Sequence, residues 1–131
     1  MALVFRTLHA AKDPEVLNEE WLLLENTGTT AINAHGCQLT VAKNGHERAR
    51  ALGTLDPGFF LQPKEQVRLV TGSPGKKAQG TPPEDKDVKN YHLFLREAVL
   101  ARPGVVVRLL LNQLELAKAV FSPKAKDGLG T

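Results

Sequence analysis

The segment of residues 18–28 constrains the fold of this chain more than any other. Large or strand-compatible side chains follow one another in it, and an Asn-Thr-Gly sequence at its end favours a turn. Because side chains alternate across a strand, Leu22 and Leu24 share one face, while Trp21 and Leu23 share the other. The segment therefore predicts a central strand with one face packed on a core.

Turn-forming residues divide the rest of the chain into short segments with strand character. Glycine, proline and asparagine recur between apolar runs, and no sustained helical period is present. Besides the central strand, the predicted strands are residues 3–8, 31–43, 46–52, 65–71, 91–95, 105–111 and 114–121. This pattern predicts an all-β, immunoglobulin-like β-sandwich of about eight or nine short strands.

Three other segments complete the predicted organisation. Residues 72–90 mix glycine and proline with charged residues, which is typical of a long mobile loop. Residues 109–119 contain good helix formers, but the three valines that precede them favour a strand, so we predict a final hairpin. We expect residues 1–121 to form one domain and residues 122–131, which contain no apolar run to bury, to form a flexible tail.

Packing and turn residues along most of the chain follow a family pattern. Residues 18–21 read Asn-Glu-Glu-Trp, alternating aliphatic residues follow, and residues 25–28 read Glu-Asn-x-Gly. The pattern continues at Ile32, Gly36, Leu39, residues 59–63, residues 67–70 and residues 105–111. It resembles lamin-tail domains, the immunoglobulin-like modules of nuclear lamins that are also found in many bacterial proteins.

The resemblance covers residues 3–121 and implies a fold rather than a reaction. It suggests an interaction module in a bacterial setting. No heptad region accompanies it, so filament assembly is not implied. The chain departs from the family at Cys37, where similar domains often have tryptophan after the matching glycine.

Composition narrows the class of protein. The chain has 131 residues, which suit one domain with its own core, and a net charge of +3, which is too small to mark a dedicated nucleic-acid binder. The single cysteine excludes an intrachain disulfide. No apolar run is long enough to span a bilayer, and the first residues lack the apolar region of a secretory signal, so we expect a cytoplasmic protein.

Residues that could carry catalysis are sparse and poorly arranged. Ser73 and Ser122 are each followed by proline, and the four histidines show no metal-binding spacing. Cys37 has no neighbour that would activate its thiol, and we expect it to be a buried apolar residue. Glu19 and Glu20 would point to opposite faces of a strand and so could not act on one substrate together, and we expect both carboxylates to be solvated. We therefore predict no enzyme, metal or cofactor; the remote alternative is a small metal-dependent hydrolase whose ligands come together on folding.

A basic row is the first candidate binding site. Strand alternation places His46, Arg48 and Arg50 on one face, with Lys43 across the predicted Asn44-Gly45 turn. Such a row can bind an anion or a nucleic acid. The alternative is an edge strand that charge protects from aggregation, and the row lacks the interleaved aromatic residues of a single-strand binder.

The pair Trp21 and Leu23 is the second candidate. The resemblance implies that Leu22 and Leu24 face the core, so that Trp21 and Leu23 point away from it, and similar domains commonly carry a polar residue at the Leu23 position. An exposed pair of this kind suggests a surface for a protein partner or for homodimer formation. The alternative is that residues 13–18 or the first strand cover it.

Overall fold

The computed structural model describes residues 3–13, 15–43, 50–55, 59–75, 77–102 and 104–130, and for Lys43 it describes the backbone alone. These residues contain ten strands and two single-turn 3₁₀ helices. The strands are β1 (Leu3–His9), β2 (Trp21–Asn26), β3 (Ile32–Asn33), β4 (Gln38–Lys43), β5 (Arg50–Thr54), β6 (Phe60–Leu61), β7 (Gln66–Val70), β8 (Val88–His92), β9 (Val105–Leu111) and β10 (Leu114–Val120). The 3₁₀ helices are Leu17–Glu19 and Lys77–Gln79. Across the described ranges, no helix is long and apolar enough to cross a membrane.

The strands form two four-stranded sheets and a two-stranded ribbon. The first sheet has the order β1-β2-β7-β8, in which β7 and β8 are parallel and the other neighbours are antiparallel. The second sheet has the antiparallel order β10-β9-β4-β5, and β3 pairs with β6 in the ribbon. The predicted all-β sandwich is confirmed.

One hydrophobic core lies between the two sheets. Leu22 and Leu24 of β2 and Leu109 of β9 are fully buried in it. Burying one such leucine contributes about 1.5–3 kcal/mol relative to leaving it exposed. Trp21 and Leu23 alternate with these leucines and are half-buried on the outer face of the first sheet. The prediction of which residues face the core is therefore confirmed for the central strand.

Two predicted strands have different boundaries in the structure. Residues 31–43 form β3 and β4 rather than one bent strand, because the chain turns between them at Gly36, whose φ of +85° favours glycine. The strand predicted at residues 91–95 is β8, which begins and ends three residues earlier. Its pairing with β7 is parallel, and parallel neighbours need a long crossover, which residues 71–87 provide.

The final hairpin matches its prediction. Strands β9 and β10 pair across Asn112 and Gln113, whose φ angles are 49° and 69°. Positive φ at both central residues is the geometry of a type I′ turn. The competing helical interpretation of residues 109–119 is therefore wrong, because cross-strand pairing outweighs the local helix propensity.

The crossover between β7 and β8 is tied to the start of β2 by Asn18. The buried Nδ2 of Asn18 donates to the carbonyl oxygens of Ser73, at 3.0 Å, and Gly80, at 2.9 Å. Gly72 leaves room for this amide, because a Cβ at that position would collide with Oδ1 of Asn18. The long loop predicted over residues 72–90 is thus anchored to the sheet at this end.

The structure differs from the sequence expectation for residues 122–131. The N–H of Leu8 in β1 donates to the carbonyl oxygen of Asp127 at 2.7 Å, and Leu129 packs against the core. Gly128 has a φ of +76°, and a Cβ there would collide with the carbonyl oxygen of Leu8. One leucine and one glycine therefore dock this segment on β1, although it contains no apolar run.

The carboxylate of Glu20 joins three separate segments of the chain. Its Oε1 accepts hydrogen bonds from the hydroxyl of Thr71, at 2.7 Å, and from the N–H groups of Val99 and Leu100, each at 3.1 Å. Its Oε2 accepts one from the N–H of Ala101 at 3.2 Å. Glu20 is only 1% exposed, so the expectation of a solvated carboxylate is wrong. Four donors replace the water that the carboxylate loses on burial.

We predict that Glu20→Gln destabilises the fold by about 1–3 kcal/mol. Glutamine keeps the shape of the side chain, but its amide nitrogen would replace Oε2. That nitrogen and the N–H of Ala101 are both donors, so this hydrogen bond would be lost. Urea unfolding measures the change. The matched control is Glu19→Gln, because the Glu19 carboxylate has no hydrogen bond to any residue that the structure describes. Equal effects of the two substitutions would contradict this role for Glu20.

Candidate functional site

The Trp21 ring lies between two side chains on the outer face of the first sheet. The His9 ring of β1 is stacked on it, with the centroids 5.1 Å apart and the planes 3° from parallel. The guanidinium carbon of Arg68 in β7 lies 5.3 Å from the centroid of the Trp21 ring. Because β1 and β7 flank β2, these contacts approach the ring from opposite sides. Trp21 is therefore held in one orientation while part of its surface stays exposed.

Arg68 is itself fixed by residues of β8 and of the crossover. Its Nη1 donates to Oδ1 of Asn90 at 3.1 Å, and its Nη2 is paired with the carboxylate of Asp85. The Nδ2 of Asn90 in turn donates to the carbonyl oxygen of Pro83 at 2.7 Å. The Arg68 side chain is 8% exposed, whereas that of Asp85 is 56% exposed, so the ion pair reaches from the sheet to the surface. We call His9, Trp21, Arg68, Asp85 and Asn90 the outer-face cluster.

The connection before β2 supports the cluster without covering it. The N–H at Nδ1 of His9 donates to the carbonyl oxygen of Glu19 at 2.7 Å, which sets the plane of the imidazole that stacks on Trp21. Leu23 lies one cross-strand row away, paired with Thr7 and Arg68, and is half-buried. Trp21 and Leu23 are thus neither fully exposed nor fully covered, because neighbouring strands flank both residues and leave part of each exposed.

Paired charges lie on the same face, beside Leu23. Glu25 accepts hydrogen bonds from Nε2 of Gln66, at 2.8 Å, and from Nη2 of Arg6, at 3.5 Å. The Gln66 hydrogen bond is the main reason that the pKa of Glu25 lies below its ordinary value. Partial burial raises this pKa, but Arg6 lowers it further. Glu25 therefore remains ionised under mildly acidic conditions and keeps this part of the face electrically balanced.

Only part of the predicted basic row lies in the described residues. His46 and Arg48 are outside them, and Lys43 is the last residue of β4, described by its backbone alone. Arg50 is the exposed first residue of β5, whose described part runs to Thr54 rather than ending at residue 52. Arg50 and Leu52 border a cavity of about 240 Å³, and the other wall comes from residues 94–97 and Val99. We call this the edge cavity.

Sequence reasoning missed two residues of the edge cavity, Phe94 and Arg96. Both are exposed, and both lie more than forty residues from Arg50 along the chain. One signal in the sequence pointed to this segment: residues 91–96 interleave aromatic and basic side chains, Tyr-His-Leu-Phe-Leu-Arg. Only the tertiary fold shows that this segment meets β5.

The described residues contain no group of three histidine, cysteine, aspartate or glutamate side chains that would hold a metal ion. Two of the histidines have identified partners: His9 contacts Trp21 and Glu19, and Nδ1 of His92 lies 3.1 Å from the carbonyl oxygen of Gly72.

Cys37 is fully buried in the core, as predicted for an apolar role. Burial raises the pKa of its thiol above the ordinary value, because the charged thiolate is poorly solvated there. Since the thiolate is the reactive form, the native protein holds this cysteine in its least nucleophilic state.

We predict that iodoacetamide modifies Cys37 slowly in the native protein and rapidly in denaturant, with one label per chain. Mass spectrometry over a time course at neutral and mildly alkaline pH provides the measurement. Raising the pH increases the thiolate fraction in the native and the denatured protein alike, but at each pH the native protein should be labelled far more slowly, because Cys37 is buried and its pKa is raised. Rapid native labelling at neutral pH would contradict the burial of Cys37.

Comparison with protein-family models and with curated proteins gives no match. The resemblance to lamin-tail domains therefore stays a prediction from sequence. The outer face and the edge cavity are the two candidate binding surfaces of the described residues.

Proposed function

We propose that this chain is a non-catalytic interaction module of the lamin-tail type that binds a protein partner through the outer face of its first sheet. The orientation of Trp21 is the observation that carries the proposal. Its ring is half-buried between His9 and Arg68, so one large aromatic surface is presented in a fixed position. Tryptophan and arginine are among the residues most enriched at interface positions where alanine substitution loses the most binding free energy.

Rigidity adds to the case for a binding surface. Arg68 is immobilised by Asn90 and Asp85, and His9 by the carbonyl oxygen of Glu19. An interface loses affinity when binding must first order its side chains, and here the central side chains are ordered in the free chain. Leu23, in the next row of the sheet, extends the apolar surface beyond the tryptophan.

A second copy of the chain is the partner that the charges of this face suit best. The acidic and basic groups are paired within the face, Arg68 with Asp85 and Arg6 with Glu25. Two such faces that meet across a two-fold axis would bring Trp21 and Leu23 together without bringing unpaired like charges together. We therefore propose a homodimer formed by the outer faces.

We predict that light scattering gives the mass of a dimer for the native chain and of a monomer for Trp21→Lys with Leu23→Lys. Lysine would place desolvated positive charges at the centre of the interface. Leu23→Lys alone leaves the Trp21 stack intact and should also weaken the dimer. The matched control is Leu114→Lys, which adds the same charge at a residue 62% exposed on β10 and should leave the dimer unchanged.

Circular dichroism shows whether each variant is folded, so that loss of the dimer is not confused with loss of the fold. A monomeric native chain would contradict self-association. A dimer that survives Leu23→Lys with a folded chain would show that the copies meet through another surface.

A further inference from the structure

The two sides of the sandwich are closed in different ways. On one side, β1 of the first sheet lies against β10 of the second, and the C-terminal segment is hydrogen-bonded to β1. On the other side the edge strands are β8 and β5. The chain that leaves β8 passes β5 on this side, and the edge cavity lies between them. This side therefore presents a concave surface that neither sheet fills.

The floor of the edge cavity is apolar. Leu52 of β5 and Leu95 are partly buried and pack against the core, and Val99 is almost fully buried. Phe94 lies at the edge of this floor and is 64% exposed, the highest value among the exposed large apolar residues of the described ranges. A planar ring that enters the cavity would lie beside leucine side chains and the exposed Phe94 ring, whose centroid is 6.3 Å from that of His92.

The stability of the fold does not account for Phe94. Its φ of 55° lies in the left-handed region, which bulky residues rarely adopt, and its exposed side chain contributes little to the core. The conformation is imposed by its neighbours, because the N–H groups of Leu93 and Leu95 donate to the carbonyl oxygens of Val70 and Thr71 at 2.8 and 2.9 Å. An aromatic ring that the backbone holds outward is typical of a binding site.

Two arginine side chains border the same cavity as Phe94. Arg50 and Arg96 both border the edge cavity and are exposed, and neither has an ion-pair partner within the described part of the chain. One carboxylate, that of Glu97, also borders the cavity, so the local charge is positive by one unit. The edge cavity therefore combines two cationic side chains with one exposed aromatic ring.

We propose that the edge cavity binds single-stranded nucleic acid, with one unpaired base stacked on Phe94 and the flanking phosphates on Arg50 and Arg96. A volume of about 240 Å³ lies below the range of about 300–1,000 Å³ typical of whole drug-sized ligands, which suits one base of a longer chain. Stacking on an aromatic ring with arginine on the phosphates is how sequence-tolerant single-strand binders work. The bases of a duplex are paired and stacked on one another, so a duplex cannot place a base in the edge cavity.

The test is fluorescence anisotropy of a labelled oligothymidylate titrated with the native chain at several salt concentrations. We expect binding that weakens as salt rises. Phe94→Ala should weaken it by about 5- to 150-fold, the effect of losing one stacked base, whereas Phe94→Tyr should retain it. Arg50→Gln with Arg96→Gln should weaken binding and reduce the slope of log affinity against log salt by about 1.4, from two lost phosphate contacts.

Two control variants separate the site from general effects. Lys118→Gln with Lys124→Gln removes the same charge on and beyond β10, at the opposite edge of the second sheet, and should leave the affinity nearly unchanged. Leu114→Ala removes a comparably exposed apolar residue and should also have no effect. A labelled duplex of the same length should bind more weakly than the single strand.

Three results would overturn the proposal: no binding of the single strand at low salt, an affinity that Phe94→Ala leaves unchanged in a folded variant, or displacement by polyglutamate as effective as displacement by unlabelled oligothymidylate. The last result would indicate that the two arginines bind an acidic peptide rather than the phosphates of a nucleic acid. None of these results bears on the homodimer, which uses the outer face of the first sheet rather than this edge of the sandwich.

Discussion

The buried carboxylate of Glu20 is the interaction on which the arrangement of this protein depends most. It lies at the start of β2, and its hydrogen bonds reach Thr71 after β7 and the N–H groups of residues 99–101 before β9. A buried carboxylate is tolerated only where donors replace its water, so the three segments must come together for the charge to be stable. Glu20 therefore couples the central strands of the first sheet to the segment that crosses to the second sheet.

Both proposed binding surfaces derive their geometry from this region. The crossing segment is held at its beginning by the hydrogen bonds of Leu93 and Leu95 to the end of β7, and at its end by Glu20. Phe94 lies between Leu93 and Leu95, whose hydrogen bonds to the end of β7 explain how its left-handed backbone is maintained. One residue after Glu20, Trp21 begins β2 and turns outward. The strand that carries the buried leucines thus also sets the position of the outer-face cluster.

Local patterning was sufficient to predict the fold and the two faces of the central strand. Alternation placed Leu22 and Leu24 on one face, which the resemblance assigned to the core, and turn residues separated most of the strands. Contacts between distant residues could not be predicted in this way. Glu19 and Glu20 look equivalent in sequence, and only the approach of residues 99–101 distinguishes them. In the same way, nothing local indicates that Asp127 bonds to β1 or that Phe94 and Arg50 border one cavity, because each arrangement joins segments far apart in the chain.

Native-state amide hydrogen exchange at Val99, Leu100 and Ala101 tests the central role of Glu20 most directly. These residues lie outside the strands, so without the carboxylate their N–H groups would exchange at the rate of an ordinary loop. We predict that they exchange as slowly as the amides of β2 and β7, and that Glu20→Ala accelerates them more than it accelerates the amides of β9 and β10. Fast exchange in the native chain, or slow exchange that survives Glu20→Ala, would contradict it.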